Sequence, residues 1–447
     1  MSKKSRMIFG LNAIAVLMCA PALHAGLDDH VLLWHTNMGS VGEDFGHAIA
    51  VDGSGYVYVA GWSEATWGNP VYPHTGGRDA FVAKLNSRGE RLWHTFMGSS
   101  DWDEARSVAV DGVGNVYVAG TSDASWGSPI HSHAGGSDGF AAKLDSDGER
   151  QWHTFMGNDG TDWGRDIAVH RSGAVYVGGV GGSKWDTLPV DDPLGDVDVW
   201  VTKLSAAGVR QWYTFMGSVG LDFVRSIAVD RNSNVYAAGR SFATWGSPIN
   251  AYSGGPSDAA VWKLDSSGAR LWHTYMGSSG GEDYGFGIAV DGIGNAYVSG
   301  LSPMTWGTPI NPFVSGAGES EGYAAKLDSN GTREWHTFVG KEVGGWGMAI
   351  DGSRNIFVGG VPQTVQLSPI GILQRKYTMP AGASGEGGCI AVGTSTNVYF
   401  VGGIDFDWGT PVDPHVGPTG SWDAYVVKFG GPWLDFFIGE PELPSEH

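Results

Sequence analysis

A closed ring of seven four-stranded β-sheets, a β-propeller, is the fold this sequence predicts, and three observations predict it. The phrase Trp-His-Thr recurs at Trp34, Trp93, Trp152, Trp272 and Trp335, with Trp212-Tyr213-Thr214 in the remaining slot, at a period of 59 to 63 residues. A second phrase, an apolar triplet such as Val-Ala-Val followed by a turn and an aromatic-containing run, begins at Ile49, Val108, Ile167, Ile227, Ile288, Met348 and Ile390, so the repeat count is seven. The chain ends carry complementary parts of one unit: the first Trp-His-Thr strand, Val31 to Thr36, has no unit before it, and the last unit stops after its third strand, Asp423 to Phe429. A ring closes when one end completes what the other lacks, whereas an open solenoid carries capping repeats.

Each unit reads as four short strands and no helix. In the second, strand one is Ser107 to Val110 and strand two Asn115 to Ala119, joined by Asp111-Gly112-Val113-Gly114. A long loop with Trp126-Gly127 and Pro129 precedes strand three, Gly139 to Leu144, and the turn Asp145-Ser146-Asp147-Gly148 leads to strand four, Gln151 to Phe155. Runs of Val, Tyr, Phe and Trp bounded by Asp, Gly and Ser are the hairpin signature. The sixth unit is shorter, because Gln363 to Leu367 and Ile372 to Thr378 supply strands three and four with no room for the Trp-Gly loop. A notch beside the channel is expected there, and it is the expected asymmetric pocket.

Residues 1–25 read as an export signal: Lys3, Lys4 and Arg6, an apolar run from Met7 to Leu23, then small residues before Gly26, with cleavage after Ala25 or Ala22. Lipidation at Cys19 is disfavoured, since the residue before a lipidated cysteine is normally small and Met18 is not. No other segment approaches the ~20 apolar residues that span a bilayer. The expected organisation is therefore a signal (1–25), a propeller (26–431) and a short tail (432–447), in a monomeric protein that is secreted, periplasmic or displayed at the cell surface. Loss of the signal leaves Cys389 as the one cysteine, so packing and not a disulfide must hold the fold. The formal net charge of −20 argues against nucleic acid, which demands a basic footprint.

The unit resembles the SBBP family of secreted bacterial β-propeller repeats. The likeness rests on Gly114-Asn115-Val116-Tyr117-Val118-Ala119-Gly120 and on Gly76-Gly77-Arg78-Asp79-Ala80-Phe81-Val82-Ala83-Lys84-Leu85, and extends over almost all of the mature chain. The sequence departs from the family in writing Trp-Gly-x-Pro where Phe-Pro is expected, and Trp-His-Thr in strand four. The resemblance implies a seven-bladed propeller and an exported protein, but no single activity. A slighter likeness of Lys143 to Trp152 to the repeat of pyrroloquinoline-quinone dehydrogenases lacks that family's Thr-Gly-Lys element and its cysteine pair.

Loops after strands two and four share one face of a propeller, and the tight turns share the other. On the loop face an aspartate stands five positions before the apolar triplet: Asp44, Asp103, Asp162, Asp222 and Asp283. His47, Arg106, Arg165 and Arg225 follow three positions after four of them. The economical use of this pattern is a repeated Asp–Arg pair or loop cap that docks blades; the alternative is a ring that binds a cation or polar ligand near the channel. Calcium is the cation to consider, although an Asp-x-Asp-x-Asp-Gly loop is absent, and no cofactor or metal is expected. Trp67, Trp126, Trp245, Trp306 and Trp408 recur after strand two, with Trp185-Asp186 as a variant; they are either wedges between blades or, if exposed, platforms for a glycan or protein partner. His35, His94, His153, His273 and His336 fall one per blade on the outermost strand and read as strand-surface residues, too far apart for one metal ion.

The expected function is therefore non-enzymatic binding of a protein or glycan through aromatic and acidic loops. The alternative is a hydrolase or lyase using loop-face carboxylates such as Asp101, Asp103, Glu104, Asp159 and Asp162 near the sixth blade. Glycoside hydrolysis needs two carboxyls ~5–9.5 Å apart, and equivalent acids in five units single out no pair.

Overall fold

The computed structural model describes residues 31–430 apart from 187–188, 317, 380–388, 394–396, 406–408 and 417–420. The expected signal with Cys19, the tail and Trp408 lie outside the described residues.

Seven four-stranded antiparallel sheets surround one channel, each ordered from an inner to an outer strand. From blade 1 to blade 7 the inner strands are Asp44–Val51, Asp103–Val110, Trp163–Val169, Asp222–Val229, Tyr284–Val290, Gly347–Ile350 and Ile390–Val392. Each touches the next, and the seventh touches the first, so the ring is closed. The blade 7 sheet takes its outer strand, Val31–Met38, from the other end of the chain, paired from Val31↔Gly430 to Met38↔Ala424.

The second and third strands are buried on both faces, as Val116–Ser122 and Asp138–Leu144 of blade 2 show, because a neighbouring blade covers each side. One apolar cluster combines Tyr58, Ala60 and Val82 of blade 1 with Val108, Val118 and Phe140 of blade 2, so a blade completes its core only against its neighbour. The outer strand's tryptophan adds a polar tie. Trp93 Nε1 donates to the Ser146 carbonyl of the next blade at 2.9 Å, and Trp34 does the same to Ser87 at 2.9 Å.

Blade 2 extends the expected strand one back to Asp103, and the extension contains a β-bulge: pairing shifts register between Ala105 and Ser107, leaving Arg106 opposite no partner. Equivalent bulges fall at His47, Arg165, Arg225 and Phe286. A bulged residue is re-aimed relative to its neighbours, and in blades 1 to 5 the bulged side chain lines the channel. The glycine of Val-Tyr-Val-Ala-Gly follows from this, since a Cβ on Gly120 would sit 1.9 Å from the Glu104 carbonyl oxygen beside the bulge.

Blade 6 keeps its four strands. Gln363–Leu367 is the expected third strand, Leu373–Thr378 starts one residue later than expected, and only residues 360–362 replace the long loop.

Candidate functional site

The recurring aspartates prove to be internal braces. Asp44, Asp103, Asp222 and Asp283 are fully buried and Asp162 nearly so. Asp103 Oδ2 accepts from Ser99 N at 2.7 Å and Ser99 Oγ at 2.8 Å, and Asp222 Oδ2 accepts from Ser218 N and Oγ at 2.6 and 2.8 Å, which ties each blade-to-blade crossing to the strand it enters. The expected Asp–Arg pairing is absent here: Arg106 pairs with Glu104, while Asp103 faces serines, because the bulge sends the arginine to the channel and leaves the aspartate under the crossing. Closed to solvent, these carboxylates present no ligand surface.

A second acid stands beside each brace. A Cβ on Gly217 would lie 2.1 Å from Asp198 Oδ1 and 2.9 Å from Asp222 Oδ2, so the crossing accommodates only glycine between two carboxylates. Burial, and to a lesser extent the Asp198 charge, push the Asp222 carboxyl up to about 6. A folded-state pKa above the unfolded value contributes stability that is present below the unfolded pKa and lost as pH rises through about 6. Asp222→Asn keeps an acceptor for Ser218 but no titration. The melting temperature of the wild-type chain relative to this variant is therefore expected to fall between pH 4 and 7. Calorimetry across that range checks it, and a rising difference would contradict it.

The recurring tryptophans are equally structural. Trp67, Trp126 and Trp306 are buried, which leaves them no open face for a glycan, and Trp245 is half-buried. Trp67, Trp126 and Trp306 join apolar clusters shared with the preceding blade. Each of the four lies over its own blade's outer strand, stacked on its histidine: Trp67 on His94 at 3.9 Å, Trp126 on His153 at 4.1 Å, Trp245 on His273 at 4.4 Å and Trp306 on His336 at 3.9 Å. The histidines are therefore buried, not strand-surface residues, because the loop after strand two folds back over them. Each Nε2 contacts the backbone carbonyl of its tryptophan, as His153 does at 2.7 Å, and since a carbonyl only accepts, the ring carries its proton on Nε2. An arginine at the start of the outer strand completes the set, Arg150 lying 5.0 Å from the Trp126 ring. In blade 3 Tyr213 replaces the histidine, and Asp186 takes both Arg210 and the tyrosine hydroxyl. The arginines were missed in the sequence, although Arg91, Arg150, Arg210, Arg270 and Arg333 recur at a fixed distance before His or Tyr.

Two openings lie at the channel mouth and beside it. One cavity of about 260 Å³ is lined by one residue from each blade: His47, Arg106, Arg165, Arg225, Phe286, Trp346 and Cys389. A neighbouring groove of about 330 Å³ between blades 2 and 3 is lined by Trp102, Glu104, Arg106, Thr121, Asp123, Ser137, Thr161, Trp163 and Arg165. Trp102 and Trp163 are exposed, at 49% and 38%. Both are held in place: the Trp102 carbonyl accepts from Asp123 N at 2.9 Å, Trp163 pairs with Val180, and the Arg165 guanidinium lies 4.9 Å from the Trp163 ring. Glu104 accepts from Arg106 Nε at 2.5 Å and stands 4.0 Å from His47 Nε2. Among the described residues no cluster of three or more His, Cys, Asp or Glu could hold a metal ion, and no helix is long and apolar enough to cross a membrane.

A closed ring of seven four-stranded blades around a lined channel defines a β-propeller. The family model for the SBBP β-propeller repeat matches residues 34–66, 93–125, 199–242 and 271–302, so these four stretches carry that repeat. Regulatory protein FlaEY of Caulobacter vibrioides is 27% identical over 145 residues, 31% of this chain and 15% of that protein. An uncharacterized WD repeat-containing protein of Acanthamoeba polyphaga mimivirus is 21% identical over 232 residues, 47% of this chain and 13% of that protein. The chain thus spans under a sixth of either relative. Among solved structures, a streptogramin B lyase shares the fold at TM-score 0.51 and 10% identity, over 89% of this chain and 97% of that one. Hydrazine synthase of Kuenenia stuttgartiensis does so at 0.50 and 11%, over 82% and 94%. At such identities the likeness is one of fold alone.

Proposed function

We propose that this chain is an exported, non-enzymatic binding propeller that holds a glycan in the groove between blades 2 and 3. The observation that carries the reading is the pair of exposed, backbone-fixed indoles, Trp102 and Trp163, on either side of a polar groove. Flat apolar faces cover the C–H surface of a sugar ring, while Thr121, Thr161, Glu104 and Asp123 supply donors and acceptors for its hydroxyls. Export rests on the basic and apolar pattern of residues 1–25.

Catalysis by carboxylates finds less support. The acids whose pKa burial raises, Asp103 and Asp162, are closed to substrate, and Glu104 is engaged by Arg106. Perturbed acids mark an active site only when a reacting group can reach them.

A glycan array probed with the mature chain tests the proposal. Binding to one glycan class is expected, weakened tenfold or more by Trp102→Ala and by Trp163→Ala at unchanged melting temperature. No glycan binding, together with capture of an envelope protein through the same residues, would replace the glycan with a protein partner. Exposed calcium-free and calcium-loaded samples should bind alike.

A further inference from the structure

The channel mouth is divided in two. His47, Arg106, Arg165 and Arg225 come from blades 1 to 4, each standing at the bulge of its inner strand. Blades 5 and 6 contribute an aromatic wall in which Tyr284, Phe286 and Trp346 stack in succession, with ring centroids 5.3 and 4.4 Å apart and planes inclined by 24° in both steps. Three arginines in successive blades are a local reversal of charge in a chain of formal net charge −20.

Two carboxylates close to Arg165 in sequence or space are engaged elsewhere. Glu104 is committed to Arg106. Asp166, one residue beyond Arg165, turns its carboxylate into the wall, where it accepts from Ser107 Oγ at 2.5 Å, Ile167 N at 2.9 Å and Ile227 N at 2.6 Å. Among the described residues no carboxylate stands within ion-pair distance of Arg165. Burial, followed by the charges of Arg106 and Arg225, pushes the Arg165 guanidinium down to about 9, with Glu104 pulling the other way. Arg165 therefore stays protonated at neutral pH in surroundings that favour an added anion.

We propose that the channel mouth is a binding site for a small aromatic carboxylate, its carboxylate held by Arg165 and Arg225 and its ring laid against the Phe286–Trp346 wall. Guanidinium groups match a carboxylate with two parallel hydrogen bonds, and aromatic rings favour offset or edge contacts with an aromatic ligand. A cavity of about 260 Å³ is at the lower edge of small-molecule pockets, so a ligand of one ring suits it. The channel site shares Arg106 and Arg165 with the groove, but Arg225, Phe286 and Trp346 do not line the groove and Trp102 does not line the channel, so variants of these four tell the two sites apart.

Isothermal titration of the mature chain with benzoate, acetate and benzamide tests the assignment. Benzoate is expected to bind at least tenfold more tightly than acetate, which lacks the ring, or benzamide, which lacks the charge. Arg225→Gln and Trp346→Leu should each weaken benzoate binding tenfold or more, while Trp102→Ala leaves it unchanged. Arg225 is exposed, and melting curves on both channel variants establish that they are folded. Equal binding of the three probes, no binding of benzoate at millimolar concentration, or unaltered affinity in folded variants would overturn the assignment.

Discussion

A chain that begins at residue 39, and so lacks the strand Val31–Met38, is expected to lose the closed ring. That strand is the outer strand of blade 7, covalently continuous with blade 1 and hydrogen-bonded to the opposite end of the sequence. Its inner half is buried, and Met38 packs with Phe81, Val401, Ala424 and Val426 between blades 7 and 1. Loss of a buried methionine side chain alone costs about 2–5 kcal/mol, and the bared edge of Asp423–Gly430 is a template for aggregation. The total is expected to exceed about 5 kcal/mol, a large share of the net stability of a folded domain. Calorimetry and light scattering measure the two consequences. A synthetic peptide of residues 31–38 added in trans should restore part of the lost melting temperature, and an unchanged melting temperature on truncation would show that closure does not depend on this strand.

The second large effect is expected at the repeated indole. Trp126→Ala removes a buried ring that stacks on His153, meets Phe140 and Phe155 edge-on, and donates from Nε1 to Ser122 Oγ at 3.1 Å. Tryptophan-to-alanine changes in cores cost about 3–5 kcal/mol, and equilibrium unfolding in denaturant measures it. The histidine partner gives the stack a pH signature. Burial is the main cause that pushes His153 down to about 4, against 6.5 for a free imidazole. A folded pKa below the unfolded one contributes stability that is present above about 6.5 and lost as pH falls toward 4. The stability difference between the wild-type chain and His153→Gln should therefore shrink from pH 7 to pH 4, the opposite sense to Asp222→Asn.

The architecture was legible in the sequence because the ring imposes it on every unit. Trp-His-Thr, the aspartate five positions before the apolar triplet in five of the seven units, and the glycine after Val-Tyr-Val-Ala recur since most blades solve the same packing and crossing problem in the same way. For the same reason recurrence was a poor guide to the site. Asp103, Trp126 and their equivalents attracted attention by repeating, and the structure uses them as braces and stacks. Of the two indoles that face solvent at the groove, Trp102 breaks the pattern and Trp163 keeps a position that is aromatic in most units. Trp102 occupies a position held by Glu43, Thr161, Leu221 and Glu282 in other units, and Trp163 one held by Phe45, Glu104, Phe223 and Tyr284. The three arginines were found, but their destination depended on a one-residue bulge, which residue types and spacing do not reveal.

The division between structural and functional tryptophans is tested most directly by titrating one glycan ligand, the tightest on the array, against two variants while recording their melting temperatures. With Trp102→Ala/Trp163→Ala the affinity is expected to fall tenfold or more and the melting temperature to hold. With Trp126→Phe the melting temperature should fall and the affinity of the folded chain should hold. The reverse result, binding lost with Trp126 and retained without Trp102 and Trp163, would contradict the assignment of the groove.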